Sequence, residues 1–338
     1  MSRRGPASES SCDRYARAVS DTQLEALLSL GRPVLADGAM GTALMDLGGR
    51  PGEAYERWVL DPERAPMVGG VHAAYREAGA AIVLSATFGA NPWRLGGDPA
   101  PDEIVSLNRA AALLARAAAP GALIAGSIGP SGRLLAPLGD LDPAAAADGF
   151  EAQARGLIDG GVDVAWIETM ADPAEVAAAI EGVRRVAPAL PIVATLVFDV
   201  RGRTMMGTTP ERAVALLRDL GVAAAGANCG DGPAPVELAI GRMRAADPDL
   251  PLVAKANAGL PVATADGVRY PATPGEMAAH ALRAVAAGAS IVGGCCGTTD
   301  AHVRTMGAAL EGAALGGAVE AAGGPAGDLR ETPEEGPR

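Results

Sequence analysis

Eight short apolar runs recur along the chain, separated by segments whose hydrophobic residues have helical spacing. Each run is nearly continuous in apolar residues, which is typical of strands covered on both faces. The runs are PVLAD from residue 33, AAIVLSAT from 80, GALIAGS from 121, VDVAWIE from 162, PIVATLVFD from 191, VAAAGANC from 222, PLVAKAN from 251 and ASIVGGCC from 289.

The segments between the runs show the three-to-four-residue hydrophobic period of amphipathic helices. One such set is Val68, Val71, His72 and Tyr75. Helix starts are marked by Asp172-Pro173 and Thr209-Pro210, which fit a cap followed by proline at the first helical position. The stretch Thr273-Pro274-Gly275-Glu276 adds the pattern of a capping box.

Eight alternating strand and helix units predict an α/β fold, a single TIM (β/α)8 barrel with its helices outside. The strand count alone leaves an open doubly wound sheet as the alternative. In DGAMGTALMDLG the glycines lack the G-x-G-x-x-G spacing of a dinucleotide-binding turn. We expect the barrel domain to span 23–312, between polar, flexible tails at 1–22 and 313–338.

Composition narrows the class of protein. With 49% hydrophobic residues and 3% aromatics, the 338-residue chain should be globular. A net charge of -12 opposes nucleic acid as a partner, because phosphate binding needs clustered Lys and Arg. Without a signal-like apolar run or one of about 18 residues, we expect a cytoplasmic protein that does not engage a membrane.

A barrel places active residues at the carboxyl ends of its strands, on one rim. The sequence fits this requirement, because polar residues end the eight runs. They are Asp37, Thr87, Ser127, Glu168, Asp199, Asn228 with Cys229, Asn257, and Cys295 with Cys296. Three of the four cysteines therefore come from the ends of two strands that a single strand separates in sequence, whereas Cys12 lies in the polar leader.

Three grouped cysteines in a reducing compartment indicate zinc, which accepts thiolate ligands, and three ligands leave one position for water or substrate. His72, His280 and His302 fall in helical segments and should be packing or surface residues. We expect Gly293, Gly294 and Gly297 to give the backbone the freedom that lets Cys295 and Cys296 reach one ion. The alternative is that the cysteines are small buried hydrophobes.

Zinc with three thiolates carries a negative formal charge, so it suits activation of an incoming thiol better than polarisation of a carbonyl. On coordination the thiol would lose its proton and would stay electron-rich enough to attack carbon. The cysteine pattern therefore points to alkyl transfer to a thiol.

Four motifs carry a family resemblance: DGAMGT at 37, IETM at 167, GANCG at 226 and GGCCGTT at 293. In order and separation the chain resembles the homocysteine S-methyltransferase family over about residues 31–312. The resemblance implies a TIM barrel, zinc on Cys229, Cys295 and Cys296, and methyl transfer to L-homocysteine to give methionine.

The family resemblance also implies substrate-binding roles for the residues of this chain that match the family motifs. The resemblance implies that Glu168 binds the substrate ammonium and that Asp37 and the Gly38 backbone frame the amino acid. For Asp37 the alternative is an N-cap of the following turn, and for Thr87 it is a strand-end cap rather than a substrate contact. We expect Asn257 to be a loose fourth zinc ligand that the substrate displaces.

The methyl donor needs a good leaving group. The NAGLP stretch at 257, followed by Thr273-Pro274, resembles the homocysteine module of cobalamin-dependent methionine synthase, so the favoured donor is a methylcorrinoid on a separate protein. Betaine and S-methylmethionine are the alternatives, although Thr169 replaces a tyrosine of the animal betaine-using relatives. From other classes, a non-catalytic zinc-binding protein, a phosphate-binding barrel enzyme and a cysteine redox switch also remain open.

Overall fold

Eight parallel strands form a barrel in the computed structural model, which describes residues 22–50, 52–264 and 267–322. The strands are β1 (Val34–Leu35), β2 (Ile82–Leu84), β3 (Leu123–Ile128), β4 (Val164–Met170), β5 (Ile192–Leu196), β6 (Ala224–Cys229), β7 (Leu252–Ala256) and β8 (Ile291–Gly294). Their order in the sheet is β1-β8-β7-β6-β5-β4-β3-β2, and a parallel bridge between Ala36 and Ile82 joins the two ends. The predicted TIM barrel is thus confirmed, and the open sheet is excluded.

Helices occupy the connections between the strands, as their hydrophobic spacing predicts. They are α1 (Thr22–Leu28), α2 (Met40–Asp46), α3 (Ala65–Glu77), α4 (Pro101–Ala118), α5 (Pro143–Asp159), α6 (Pro173–Val186), α7 (Pro210–Asp219), α8 (Pro233–Ala246), α9 (Pro274–Ala286) and α10 (Asp300–Ala322), with a 3-10 helix at Tyr55–Leu60. An antiparallel hairpin of Val262–Thr264 and Gly267–Arg269 follows β7, and the hydrophobic pattern does not predict it. Across the described ranges, none of the helices combines the length and apolarity of a membrane span.

Two of the three predicted helix caps form as expected. Asp172 accepts the N–H of Ala174, and Thr273 forms the full capping box with Glu276. Among the described residues, the Thr209 side chain accepts no backbone N–H of α7; its hydroxyl instead hydrogen-bonds the side chain of Glu211 in the first turn.

The first ten residues of the predicted C-terminal tail, 313–322, are helical in the structure. Helix α10 continues past residue 312 to Ala322, since the segment 313–322 is rich in alanine, which favours a helix even without an apolar stripe. The rest of that tail, 323–338, and residues 1–21 of the predicted N-terminal tail lie outside the described residues.

The barrel interior changes character towards the carboxyl ends of the strands. Its lower part is an apolar cluster to which all eight strands contribute, including Ala125, Trp166 and Val253. Because side chains two apart share a face of a strand, Ser127, Glu168 and Lys255 follow these residues on the same inward face. All three polar side chains are buried, so the top of the barrel is a polar layer on an apolar floor.

Candidate active site

A cavity of about 480 Å³ opens at the carboxyl ends of the strands and joins most of the predicted site residues. The predicted residues in its lining are Asp37, Gly38, Thr87, Glu168, Cys229, Cys295 and Cys296. Lys255 also lines the cavity, and it was not singled out from the sequence. Asn257, the remaining predicted residue, lies outside the lining.

The three cysteines meet at one point of this cavity. Cys229 ends β6, Cys295 and Cys296 follow β8, and their three Sγ atoms all lie within 4.8 Å of one another. Tetrahedral zinc at about 2.3 Å from each sulfur would hold the sulfurs about 3.8 Å apart, which is compatible with this limit. The donor set therefore fits zinc with three protein thiolates.

Without a metal, the three thiols share one negative charge. Hydrogen bonds from Cys295 and Cys296 lower the pKa of Cys229 to about 3. The same pairing with Cys229 raises the pKa of Cys296 to about 11 and raises the pKa of Cys295. A cation that bound the cluster would replace the two protons that Cys295 and Cys296 retain at neutral pH.

The glycines around the cysteine pair serve close packing more than backbone freedom, which corrects the sequence-based expectation. Of the three, only Gly297 is left-handed, with φ of 78°. A Cβ on Gly293 would lie 2.9 Å from the Asp37 carbonyl oxygen, and one on Gly294 would lie 2.3 Å from Thr298 Oγ1. The GGCCGTT loop therefore packs directly against the DGAMGT turn.

Asp37 forms a buried ion pair with Lys255. Lys255 Nζ lies 2.5 Å from Asp37 Oδ1, and both side chains are almost fully buried. Asp37 Oδ2 accepts the N–H of Leu84 at 2.7 Å, so the carboxylate links three strands. The N-cap of helix α2 is Ala39, which rules out the N-cap alternative for Asp37.

Glu168 lies in the same polar layer and is buried. Ser127 Oγ donates to Glu168 Oε1 at 2.5 Å. Burial raises the pKa of Glu168, while attraction to Lys255 and the hydrogen bond from Ser127 act in the opposite direction. An arriving ammonium group would stabilise the ionised form of this carboxylate.

Thr87 is fully buried at the cavity wall, and its hydroxyl is engaged within the protein. Its Oγ1 donates to the Ser127 carbonyl at 2.7 Å and lies 2.7 Å from Ser85 Oγ. These contacts agree with the strand-end alternative, and the contact between Thr87 and the substrate stays a prediction.

Asn228 ties the end of β4 to the end of β6. Its Oδ1 accepts the N–H of Thr169 at 2.9 Å, and its Nδ2 donates to Thr169 Oγ1 at 2.7 Å. Nδ2 also lies 3.8 Å from Cys295 Sγ. Thr169 and Cys229 both have left-handed backbones, with φ of 63° and 61°, which is uncommon for residues other than glycine.

Asn257 and Tyr270 flank the cluster. Asn257 Nδ2 donates to the Gly230 carbonyl at 2.6 Å and hydrogen-bonds Cys229, whereas its buried Oδ1 has no partner among the described residues. Tyr270 lines the cavity, hydrogen-bonds Cys296 and packs against Gly297. The three histidines lie in helices and are buried, in line with packing roles. Among the described residues, the group of possible metal ligands consists of the three cysteines.

Comparison with known proteins identifies the family. The model of the family described as homocysteine S-methyltransferase matches residues 34–310. Methionine synthase of Mycobacterium tuberculosis is 34% identical over 306 residues, or 86% of this chain and 25% of that protein. Methionine synthase of Mycobacterium leprae is 34% identical over 295 residues, or 82% of this chain and 24% of that protein. The chain thus spans about a quarter of the length of these curated relatives.

A solved structure matches this chain over nearly the whole of its own length. The crystal structure of the homocysteine methyltransferase MmuM from Escherichia coli, metallated form, has a TM-score of 0.71 and 27% sequence identity. The match covers 84% of this chain and 99% of that one. Because the family model matches most of the chain, from β1 into the last helix, the protein belongs to the homocysteine S-methyltransferase family.

Proposed function

We propose that the protein is a zinc-dependent methyltransferase that moves a methyl group to the thiol of L-homocysteine and forms methionine. The main support is that three cysteine sulfurs lie within 4.8 Å of one another in the lining of a cavity that Glu168 also lines. Cys229, Cys295 and Cys296 would hold the zinc, which when bound lowers the pKa of a coordinated thiol.

The polar layer would hold the amino-acid end of the substrate. Glu168 is a buried carboxylate and would accept the ammonium group, while Ser127 fixes the orientation of its side chain. Asp37 would act by orienting Lys255, since both of its oxygens already have partners. Gly38 leaves its backbone next to the cavity, where a Cβ would collide with Tyr75.

Asn257 is our proposal for a fourth zinc ligand that the substrate displaces. Two observations support this role: its hydrogen bond with Cys229, and its buried Oδ1, for which the described part of the chain offers no partner. An Asn257→Ala protein should bind homocysteine with altered affinity and show a changed spectrum when cobalt replaces zinc. If both properties were unchanged, Asn257 would not be a ligand.

The first candidate donor is a methylcorrinoid carried by a separate protein. The similarity to the two methionine synthases, over about a quarter of their length, supports this candidate. The methylcorrinoid protein is therefore a proposed partner of this chain, and the family model and the relatives leave the donor open.

The second candidate is a small sulfonium or quaternary ammonium donor such as S-methylmethionine or betaine. The cavity lining favours it, because Glu53 and Glu56 lie there with the aromatic rings of Tyr55 and Phe88. Carboxylates and aromatic faces both attract a cationic methyl donor. Transfer from such a donor to a thiolate neutralises two opposite charges, which a cavity of low dielectric constant favours.

Metal content and methionine formation together test the function. The reduced protein would be assayed for zinc and then given homocysteine with methylcobalamin, betaine or S-methylmethionine, one at a time. One zinc per chain and one productive donor would support the proposal and identify the donor class. Zinc without turnover, even with methylcobalamin in excess, would favour a non-catalytic zinc-binding protein.

A further inference from the structure

Lys255 is a buried cation that lines the active-site cavity. Its side chain is 2% exposed, and it stands on β7 one layer above the apolar floor of the barrel. Opposite Lys255 in the strand register, β8 carries Gly293, which has no side chain to separate Lys255 from Asp37, two residues beyond the end of β1. The ammonium group can therefore reach across β8.

The ammonium group has donor capacity beyond its contact with Asp37. It carries three N–H donors. Within the described part of the chain, its hydrogen bond goes to Asp37 Oδ1, and its Nζ lies 5.7 Å above the ring of Trp166. Burial lowers the pKa of Lys255, but attraction to Asp37 and Glu168 outweighs this effect and raises it. A buried charge with unused donors needs a further partner, and the cavity is where one can enter.

We propose that Lys255 binds the α-carboxylate of the substrate amino acid and so makes the site specific for a thiol that carries this group. The inference rests on the proposed function, because it takes homocysteine as the substrate. An α-ammonium and an α-carboxylate are attached to one carbon atom, so their receptors must be neighbours. Lys255 and Glu168 meet this condition, since both line the cavity and attract each other within the same layer.

Arg94 is the other cation in the cavity lining, and its position fits the carboxylate less well. Its side chain is exposed, and its guanidinium group lies 5.6 Å from the centre of the Phe88 ring. An exposed cation in contact with solvent contributes little to ligand selection. Lys255 acts from a desolvated position, where a charged hydrogen bond is stronger.

The test compares two ligands that differ only in the carboxylate: L-homocysteine and 3-mercaptopropylamine. Dissociation constants would be measured by calorimetry on the reduced, metal-containing protein. The unsubstituted protein should prefer homocysteine by about 10- to 100-fold, as expected for a charge-assisted hydrogen bond. In Lys255→Met this preference should fall to about one, while the affinity for 3-mercaptopropylamine should change little.

Two further variants keep the test decisive. Lys255→Met leaves Asp37 as an unpaired buried charge, so Asp37→Asn/Lys255→Met removes both charges and keeps an oxygen for the Leu84 N–H. Arg94→Met is the matched control, and it should retain the full preference for homocysteine. If Arg94→Met lost the preference while the folded Lys255 variants kept it, the inference would be overturned.

Failure of the proposed function would look different. The unsubstituted protein could methylate homocysteine while the Lys255 variants kept the full preference for homocysteine over 3-mercaptopropylamine. That result would contradict the role of Lys255 and would support the proposed function. The opposite outcome is a protein that is inactive with every donor but still prefers the ligand with the carboxylate, in a way that depends on Lys255. That result would contradict the proposed methyltransferase function and would support Lys255 as the carboxylate-binding residue.

Discussion

The Asn228 side chain binds both the backbone and the side chain of Thr169, accepting the backbone N–H at 2.9 Å and donating to the hydroxyl at 2.7 Å. Thr169 needs this support, because a β-branched residue with φ of 63° is strained. Thr169 directly follows Glu168, and Asn228 directly precedes Cys229. One amide therefore links the proposed substrate anchor to the sulfur cluster.

Asn228→Ala should lower the free energy of unfolding by about 1–3 kcal/mol, because buried hydrogen-bonding groups lose their partner. The loss should be smaller when Thr169 is replaced by glycine, since glycine adopts a left-handed backbone without strain. Urea denaturation of the two single variants and the double variant Asn228→Ala/Thr169→Gly would measure this coupling as a double-mutant cycle.

Thr195→Val is the control for this cycle. Thr195 Oγ1 donates to the same Asn228 oxygen at 2.8 Å but does not support the backbone of Thr169. Thr195→Val should therefore lower the free energy of unfolding by the same amount with and without the Thr169→Gly substitution. A purely additive Asn228→Ala/Thr169→Gly double variant would show that Asn228 does not hold the strained backbone.

Replacing any cysteine of the cluster by serine should weaken zinc binding while the barrel stays folded. The expected loss is about 100- to 1,000-fold per cysteine, since about 10–16 kcal/mol of zinc binding energy is shared among roughly four ligands. Zinc per chain after dialysis, together with circular dichroism, would measure it. Turnover should disappear in Cys229→Ser, Cys295→Ser and Cys296→Ser.

Cys12→Ser is the matched control, because Cys12 lies in the polar leader apart from the three cluster motifs. It should keep full zinc content and activity. A cluster variant with normal zinc and normal turnover would contradict the assigned ligand set.

The strands and the sulfur cluster could be predicted from the sequence because each depends on a local pattern. Buried parallel strands are nearly continuous apolar runs, and the barrel fold brings their carboxyl ends to one rim. Cys229 and Cys295 therefore converge although 66 positions separate them. Predicting that convergence required only the strand order.

Other features of the site depend on tertiary contacts. The sequence does indicate that Lys255 is paired, because a lone lysine inside the apolar run PLVAKAN needs a partner once the strand is buried. The identity of that partner, Asp37, follows from the position of Gly293 in the register, which the sequence does not show. The left-handed backbones of Thr169 and Cys229 also lack a local signal, since neither residue type favours that conformation.

His72 should make the protein less stable in mild acid. It is fully buried in α3, neither ring nitrogen has a hydrogen-bond partner among the described residues, and burial lowers its pKa to about 4. As the pH falls from about 6.5 to about 4, the unfolded chain gains a proton that the folded protein excludes, so about 3 kcal/mol of stability is lost.

His72→Leu removes this titration and should flatten the dependence of unfolding free energy on pH in that interval. Urea denaturation at pH 4, 5, 6.5 and 8 would measure the difference between the two proteins. At pH 8 the histidine is neutral in both states, so the difference there reports packing alone. Parallel profiles from pH 6.5 to 4 would contradict the prediction.

Gly38 and Gly41 belong to the same DGAMGT turn, but alanine should have opposite effects at the two positions. A Cβ on Gly38 would lie 2.7 Å from the Tyr75 ring and 2.9 Å from Thr298 Oγ1. Gly38→Ala should therefore cost about 1–3 kcal/mol of unfolding free energy. It should also weaken zinc binding, because Thr298 Oγ1 donates to the Cys295 carbonyl at 2.7 Å.

Gly41→Ala is the matched substitution three residues further on. Gly41 lies in helix α2, and an added Cβ would meet no atom of the described residues within 4 Å. Alanine should raise the unfolding free energy by up to about 1 kcal/mol, because it favours the helix more than glycine does. Thermal denaturation and zinc content would compare the two variants. Equal losses at both positions would show that the turn responds to any side chain, and not to the contact between Gly38 and the Tyr75–Thr298 pair.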